Sequence, residues 1–187
     1  MRMKRLCLCV AATLAMVSCI PVDDFGTYWD KGIVDPALEG TWKNISGPGR
    51  SPEAGALRFT RTGSFYLMNA VGVDPPINPE VWGNARTLRV GKRRLLMQRS
   101  RQAPFDGILT SYEIRGRTLS EYWFHGAAAA EFLRTRHPGA KNIHTNKGEG
   151  EFVVIGTFDD EVFRILSEIG DDSTYWVLTA TYEKASN

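Results

Sequence analysis

From residue 37 onward the chain is written in short runs of alternating apolar and polar residues punctuated by glycine, and this pattern confines it to antiparallel sheet. Alternation sends successive side chains to opposite faces, so each run offers one apolar side, and a glycine between two runs supplies a tight turn. Three hairpins follow. A Thr62-Gly63 turn sets Phe59 opposite Tyr66 and Leu57 opposite Met68. A Gly91-Lys92 turn aligns Leu88 with Leu95, Arg86 with Met97 and Arg89 with Arg94. An Arg115-Gly116 turn joins residues 108–114 to 117–124 and faces Tyr112 with Leu119. In a closing strand over residues 174–183, Trp176, Leu178, Ala180 and Tyr182 alternate with Tyr175, Val177, Thr179 and Thr181.

Two helices interrupt the strands. Residues 159–169 place Val162, Ile165, Leu166 and Ile169 on one face, with Thr157 and Asp160 as a capping pair, acids in the first turn and Gly170 beyond the end. Residues 127–136 carry an alanine run stopped by Pro138, with Phe132 and Leu133 as the only large apolar groups. Tyr122 to Arg134 aligns with Phe152 to Arg164 at an offset of 30, matching Gly126 with Gly156, Glu131 with Glu161 and Arg134 with Arg164. Two strand-to-helix transitions obeying the same local rules account for that likeness. The expected fold is mostly β, or α+β: an antiparallel meander or partly closed β-barrel with two short helices, over residues 37–187. Aromatics on both faces of the late strands require either helices over the outer side or rings that line a pocket.

The amino terminus is of another kind. Arg2, Lys4 and Arg5 precede an apolar stretch from Leu6 to Met16 and a small-residue junction, Val17-Ser18-Cys19, the pattern of an export signal over residues 1–18. That apolar run is too short to span a bilayer as a helix. The chain has three cysteines, and Cys7 and Cys9 lie inside the run, so a chain beginning at Cys19 would hold a single thiol and no internal disulfide. Such a chain carries 20 basic and 21 acidic residues, a net charge of −1, so the slight basicity of the whole belongs to the signal. Near-balanced charge excludes a strongly basic nucleic-acid binder.

Met16-Val17-Ser18-Cys19 resembles the box of bacterial lipoprotein signals, in which the cysteine is lipidated and the bond before it is cut, with methionine where leucine is commoner. The resemblance implies a protein held stably on a membrane through several acyl chains on Cys19. In Gram-negative lipoproteins an aspartate after the cysteine favours the inner membrane; Ile20 stands there, which implies the outer membrane, facing the periplasm. Residues 19–36, with Pro21, Gly26, Gly32 and Pro36, then read as a lipidated end and a tether of at most about 60 Å, although Phe25, Tyr28, Trp29 and Ile33 are unusual in a solvated spacer.

Gly40-Thr41-Trp42 is similar to the opening Gly-x-Trp of lipocalins, whose tryptophan plugs one end of a barrel while a ligand enters at the other. The family's later Thr-Asp-Tyr turn has no counterpart, and two late helices depart from its single one. On that resemblance Trp42, Tyr112 and Trp123 are candidates to line a pocket.

Arg86, Arg89, Lys92, Arg93, Arg94, Arg99 and Arg101 form a run of cations without an acid. Arg89 and Arg94, opposite one another, repel unless counter-charge is near. Either Glu113 or Glu121 of the neighbouring hairpin neutralises them, or Arg89, Lys92, Arg93 and Arg94 meet an anionic lipid, an envelope phosphate or an acidic protein. His125, His137 and His144 show no ligand spacing, so no metal and no cofactor is expected. His137, at a helix end, complements the dipole. Asp159, Asp160 and Glu161 suit a helix start, and Asp171-Asp172 a turn. No nucleophile elbow, phosphate loop or HExxH is present. The expected function is therefore a non-catalytic binding or interaction module of the cell envelope; the alternatives are a carrier of a small apolar ligand or lipid and, more remotely, an envelope hydrolase.

Overall fold

The computed structural model describes residues 17–18, 20–47, 55–71, 83–99, 107–146 and 152–186. Twelve strands occur among them: β1 (Val17–Ser18), β2 (Ile20–Asp24), β3 (Gly40–Ser46), β4 (Ala56–Thr62), β5 (Phe65–Val71), β6 (Asn84–Val90), β7 (Arg93–Arg99), β8 (Gly107–Arg115), β9 (Thr118–His125), β10 (Ile143–Asn146), β11 (Phe152–Thr157) and β12 (Trp176–Lys184). Three short helices accompany them: α1 (Tyr28–Lys31), α2 (Gly126–Arg136) and α3 (Asp160–Ile169).

Strands β3 to β9 pair each with the next, and β12 closes the ring between β9 and β3, giving an eight-stranded antiparallel up-and-down barrel. Between β9 and β12 the chain leaves to form α2, β10, β11 and α3, a layer on the barrel's outer surface. Strand β2 joins the two: it is antiparallel to β8 through Ile20, Pro21 and Val22, and parallel to β11. β1 is antiparallel to β9 and β2 to β8, while β8 and β9 run antiparallel, so β1 and β2 point in opposite directions.

Two cores result. Trp42, Phe59, Tyr66, Met68, Leu96, Tyr112, Leu119 and Tyr182 fill the barrel together with Leu38. Val22, Phe25, Trp29, Leu95, Met97, Leu109, Phe124, Trp176 and the apolar face of α3 fill the space between the barrel and its outer layer. β7 belongs to both, sending Leu95 and Met97 outward and Leu96 inward, which is why its sequence reads as a continuous apolar run rather than an alternating one. Phe124 of β9 and Trp176 of β12, which point outward, are thus buried under the outer layer.

Register shows what the turns obey. The second hairpin pairs as its sequence suggests, with Leu88 facing Leu95 and Arg89 facing Arg94. The first pairs Phe59 with Met68, not Tyr66, and the third pairs Ile114 with Leu119, leaving Tyr112 opposite Glu121. The turns are Gly63-Ser64 and Gly116-Arg117. Gly63, Gly91 and Gly116 share φ values of 62°, 60° and 58°, and among the described residues no other residue type has positive φ. Only the first central position of these turns needs the left-handed conformation, as in a type II′ turn, so glycine goes first in all three. Moving a turn by one residue moves its register by two, which preserves the faces and therefore the barrel.

A bulge has the opposite effect. Leu178 faces Tyr122 and Ala180 faces Glu121, leaving Thr179 unmatched on β12. The extra residue flips the strand's faces, so Trp176 packs outside the barrel and Tyr182 inside it, although their spacing alone would put them on one side.

The stretch read as a tether is part of the domain. Ile20, Val22 and Phe25 are 1%, 0% and 0% exposed, and Tyr28 and Trp29 are buried with them. Tyr28 stacks on Phe163 and packs on Phe158. The large apolar groups that sit oddly in a spacer are there because they complete the outer core. Helix α3 is capped by Asp159, which accepts from the Val162 N–H, rather than by the Thr157 and Asp160 pair. His125 caps α2 in the same way, through the Ala128 N–H.

Candidate functional site

One end of the barrel is sealed by residues 33–38. Ile33 and Thr87 exchange backbone hydrogen bonds of 2.8 Å, and a 3-10 turn at Pro36–Leu38 lowers Leu38 into the barrel. Trp42 lies beneath it, fully buried, with its indole N–H donating to the Leu38 carbonyl at 2.7 Å and the Lys184 ammonium 5.2 Å from its ring. Trp42 is thus a plug at the closed end and does not line the cavity.

Asp35 holds this seal. Its Oδ1 accepts from the Ala37 N–H, and its Oδ2 from the Tyr112 hydroxyl at 2.8 Å and from Arg94 at 2.9 Å. Its backbone carbonyl accepts from the Tyr66 hydroxyl. The counter-charge for the Arg89 and Arg94 pair is therefore Asp35, far away in sequence, and neither Glu113 nor Glu121. Glu113 pairs with Arg115 at 2.8 Å, and Glu121 turns into the barrel.

Burial pushes the Tyr66 hydroxyl up to about 12, with the Glu39 and Asp35 charges adding to it, and raises Tyr112 through burial and Asp35. A phenol whose folded pKa lies above its unfolded value holds its proton more tightly when folded. Its contribution is complete below about pH 10, the ordinary tyrosine value, and is lost as pH rises toward 12. Urea midpoints should accordingly fall between those values, and Tyr66→Phe should make that fall shallower. An unchanged slope in the variant would contradict the assignment.

Beside the sealed end, Lys92, Arg93, Arg94 and Arg115 line an open cleft of about 510 Å³, with Glu113, Tyr122, Asp171 and Trp176 on its walls. Arg93 is its fixed element. The guanidinium stands 5.3 Å from the Tyr122 ring centroid and 5.1 Å from that of Trp176, and donates to the Gly170 carbonyl and to Ser111 Oγ. Burial lowers the pKa of Arg93 from the ordinary arginine value. Asp171 accepts from the Lys92 backbone N–H, which ties the β6–β7 turn to the end of α3.

Of the four expected anion contacts, Lys92, Arg93 and Arg94 converge on this cleft; Arg89 lies outside it, donating to the Gly91 carbonyl. Arg115 belongs to the cleft and was not a candidate, because only the third dimension brings the β8–β9 turn beside the β6–β7 turn. Arg86 and Arg99 lie over Trp29 instead. Cys19 and Arg101 lie outside the described residues.

Tyr112 and Trp123 do line a cavity inside the barrel, of about 60 Å³, together with Leu57, Phe59, Leu96, Ile108, Thr110 and Glu121. His137 bonds to Glu168 across α2 and α3, and no cluster of His, Cys, Asp and Glu able to hold a metal occurs among the described residues. No helix among them is long and apolar enough to cross a membrane.

The chain matches no protein-family model, no curated protein and no solved structure.

Proposed function

We propose that this protein is a lipid-anchored, non-catalytic binding module of the cell envelope, held at the outer membrane through Cys19 and facing the periplasm, which contacts an anionic envelope partner through its basic cleft. The observation that carries this reading is the convergence of Lys92, Arg93, Arg94 and Arg115 on one open cleft against two carboxylates, Glu113 and Asp171. Arg93 is held in place by two aromatic rings and two acceptors, so its guanidinium is already oriented for a phosphate or carboxylate and loses little freedom on binding. With Ile20 buried directly after Cys19, the acyl anchor has no spacer and the barrel rests against the bilayer surface, where phosphates are densest.

The eight-stranded barrel and the Trp42 plug favour the lipocalin-like carrier as a second reading. Its cavity of about 60 Å³ is well short of the roughly 300 Å³ at which pockets for drug-sized ligands begin. A lipid chain does not fit.

One experiment tests both halves of the proposal. Cys19→Ala should move the protein from the membrane to the soluble periplasmic fraction, and that soluble form should cosediment with vesicles containing a fifth of phosphatidylglycerol. Adding Lys92→Glu and Arg115→Glu should weaken the cosedimentation at least tenfold and leave the melting temperature within a few degrees. Tight membrane association of the Cys19→Ala form would sink the anchor. Vesicle binding indifferent to the cleft substitutions would sink the cleft.

A further inference from the structure

Glu121 is a carboxylate inside an apolar barrel. Its neighbours on the inward face of β9 are Leu119 and Trp123, and across the strand pair it faces Tyr112 and Ala180. The Trp123 indole N–H donates to Oε1 at 3.1 Å and the Tyr182 hydroxyl to Oε2 at 3.0 Å. Its backbone carbonyl accepts from Thr179 Oγ1, so the β12 bulge fixes the strand where the carboxylate projects.

Each carboxylate oxygen accepts about two hydrogen bonds, so one acceptor position on each remains for a further donor. Among the described residues no lysine, arginine or histidine lies within ion-pair distance of it. The carboxylate is part-buried, with Leu57, Phe59, Leu96, Ile108 and Leu119 lining the same cavity, so a cation brought there pairs with it in a setting poorer in water than the surface.

We propose that the barrel interior is a binding site, separate from the basic cleft, for a small primary amine: its ammonium donates to Oε1 and Oε2 of Glu121 and its short alkyl body fills the apolar cavity toward Leu57 and Ile108. The volume of about 60 Å³ limits that body to a few carbons. Three features select the class. The carboxylate rejects anions, the two flanking donors hold it in a fixed orientation without neutralising it, and the apolar walls disfavour a strongly hydrated head without a hydrocarbon body.

The test is titration of the purified full chain, followed by two-dimensional amide NMR, with methyl-, ethyl- and n-propylammonium, and with n-propanol and propionate as matched controls. The ammonium series should bind saturably, perturb amides of β8, β9 and β12, and tighten roughly fourfold per added methylene. n-Propanol should bind at least tenfold more weakly, and propionate not at all. Glu121→Gln, which keeps the shape and can still accept from Tyr182, should weaken n-propylammonium at least tenfold. The proposal fails if n-propanol binds as well as n-propylammonium, if Glu121→Gln binds it within twofold, or if no ammonium saturates. The alcohol comparison needs no variant, so a folding defect in Glu121→Gln leaves the test intact.

Discussion

A chain beginning at residue 37 should not fold, although residues 37–187 contain every strand of the barrel. The truncation removes Ile20, Val22, Phe25, Tyr28 and Trp29, all buried in the outer core, and it lifts Ile33 and Asp35 from the barrel's end. Burial of a large apolar side chain contributes about 1.5–3 kcal/mol, so these five together are worth on the order of 10 kcal/mol, comparable to the whole stability of an ordinary domain. The expected product lacks a cooperative thermal transition and shows collapsed amide dispersion. A chain beginning at residue 19 keeps all five and should melt cooperatively. If the shorter chain melts as sharply as the longer one, residues 20–36 are a tether after all, and the outer core is not what holds the layer on.

Asp35→Ala should cost about 2–4 kcal/mol in denaturant unfolding. The largest part is the Tyr112 hydroxyl, buried inside the barrel and left without its carboxylate, for which about 1–3 kcal/mol is usual. Loss of the cap on the 3-10 turn adds about 1 kcal/mol. The ion pair adds little, because the Arg94 side chain is 46% exposed and water replaces the aspartate. Asp35→Asn keeps the acceptor of the cap and puts an NH2 where the second oxygen stood, to which the Tyr112 oxygen can turn as acceptor, so it should cost less than Asp35→Ala. Tyr112→Phe should be milder in the Asp35→Ala background than in the wild type, since the hydroxyl it removes has already lost its carboxylate there. A loss below about 0.5 kcal/mol for Asp35→Ala would mean that the seal rests on Leu38 and Trp42 alone.

How much of this can be read from the sequence depends on the distance over which each interaction acts. Hairpins are local, and three glycines between alternating runs gave both the strands and their faces. What the alternation could not supply was the position of glycine within the turn, which backbone conformation sets and which displaced two registers by two residues. The bulge at Thr179 left no mark at all: Trp176, Leu178, Ala180 and Tyr182 look like one face of one strand, and the extra residue divides them between two cores.

The site was legible in part for the same reason. The face-to-face pairing of Arg89 and Arg94 is a property of one hairpin, and it stands as expected. The acid that answers Arg94 comes from Asp35, 59 residues away, in a stretch whose glycines and prolines read as spacer. Glu121 enters the sequence reading only as a counter-charge for the Arg89 and Arg94 pair. Alternation with Leu119 already puts it on the face of Tyr112, and the moved turn sets it directly opposite that residue, inside the barrel.

The two cores share a wall. β7 and β8 are pressed from both sides, Leu95 and Met97 against the outer layer, Leu96 and Tyr112 against the barrel contents. β3, β4 and β5 have water on their outer face, where Ile45 and Leu67 are exposed. Mutational drift is therefore uneven around the ring. A substitution in the wall must satisfy two sets of neighbours at once, while every second position of the opposite arc answers to none. Descendants of a common ancestor would diverge fastest along that arc and keep the wall as their shared trace. Kinship for this chain is then better sought in a pair of doubly buried strands flanked by glycine-first turns than in overall sequence identity.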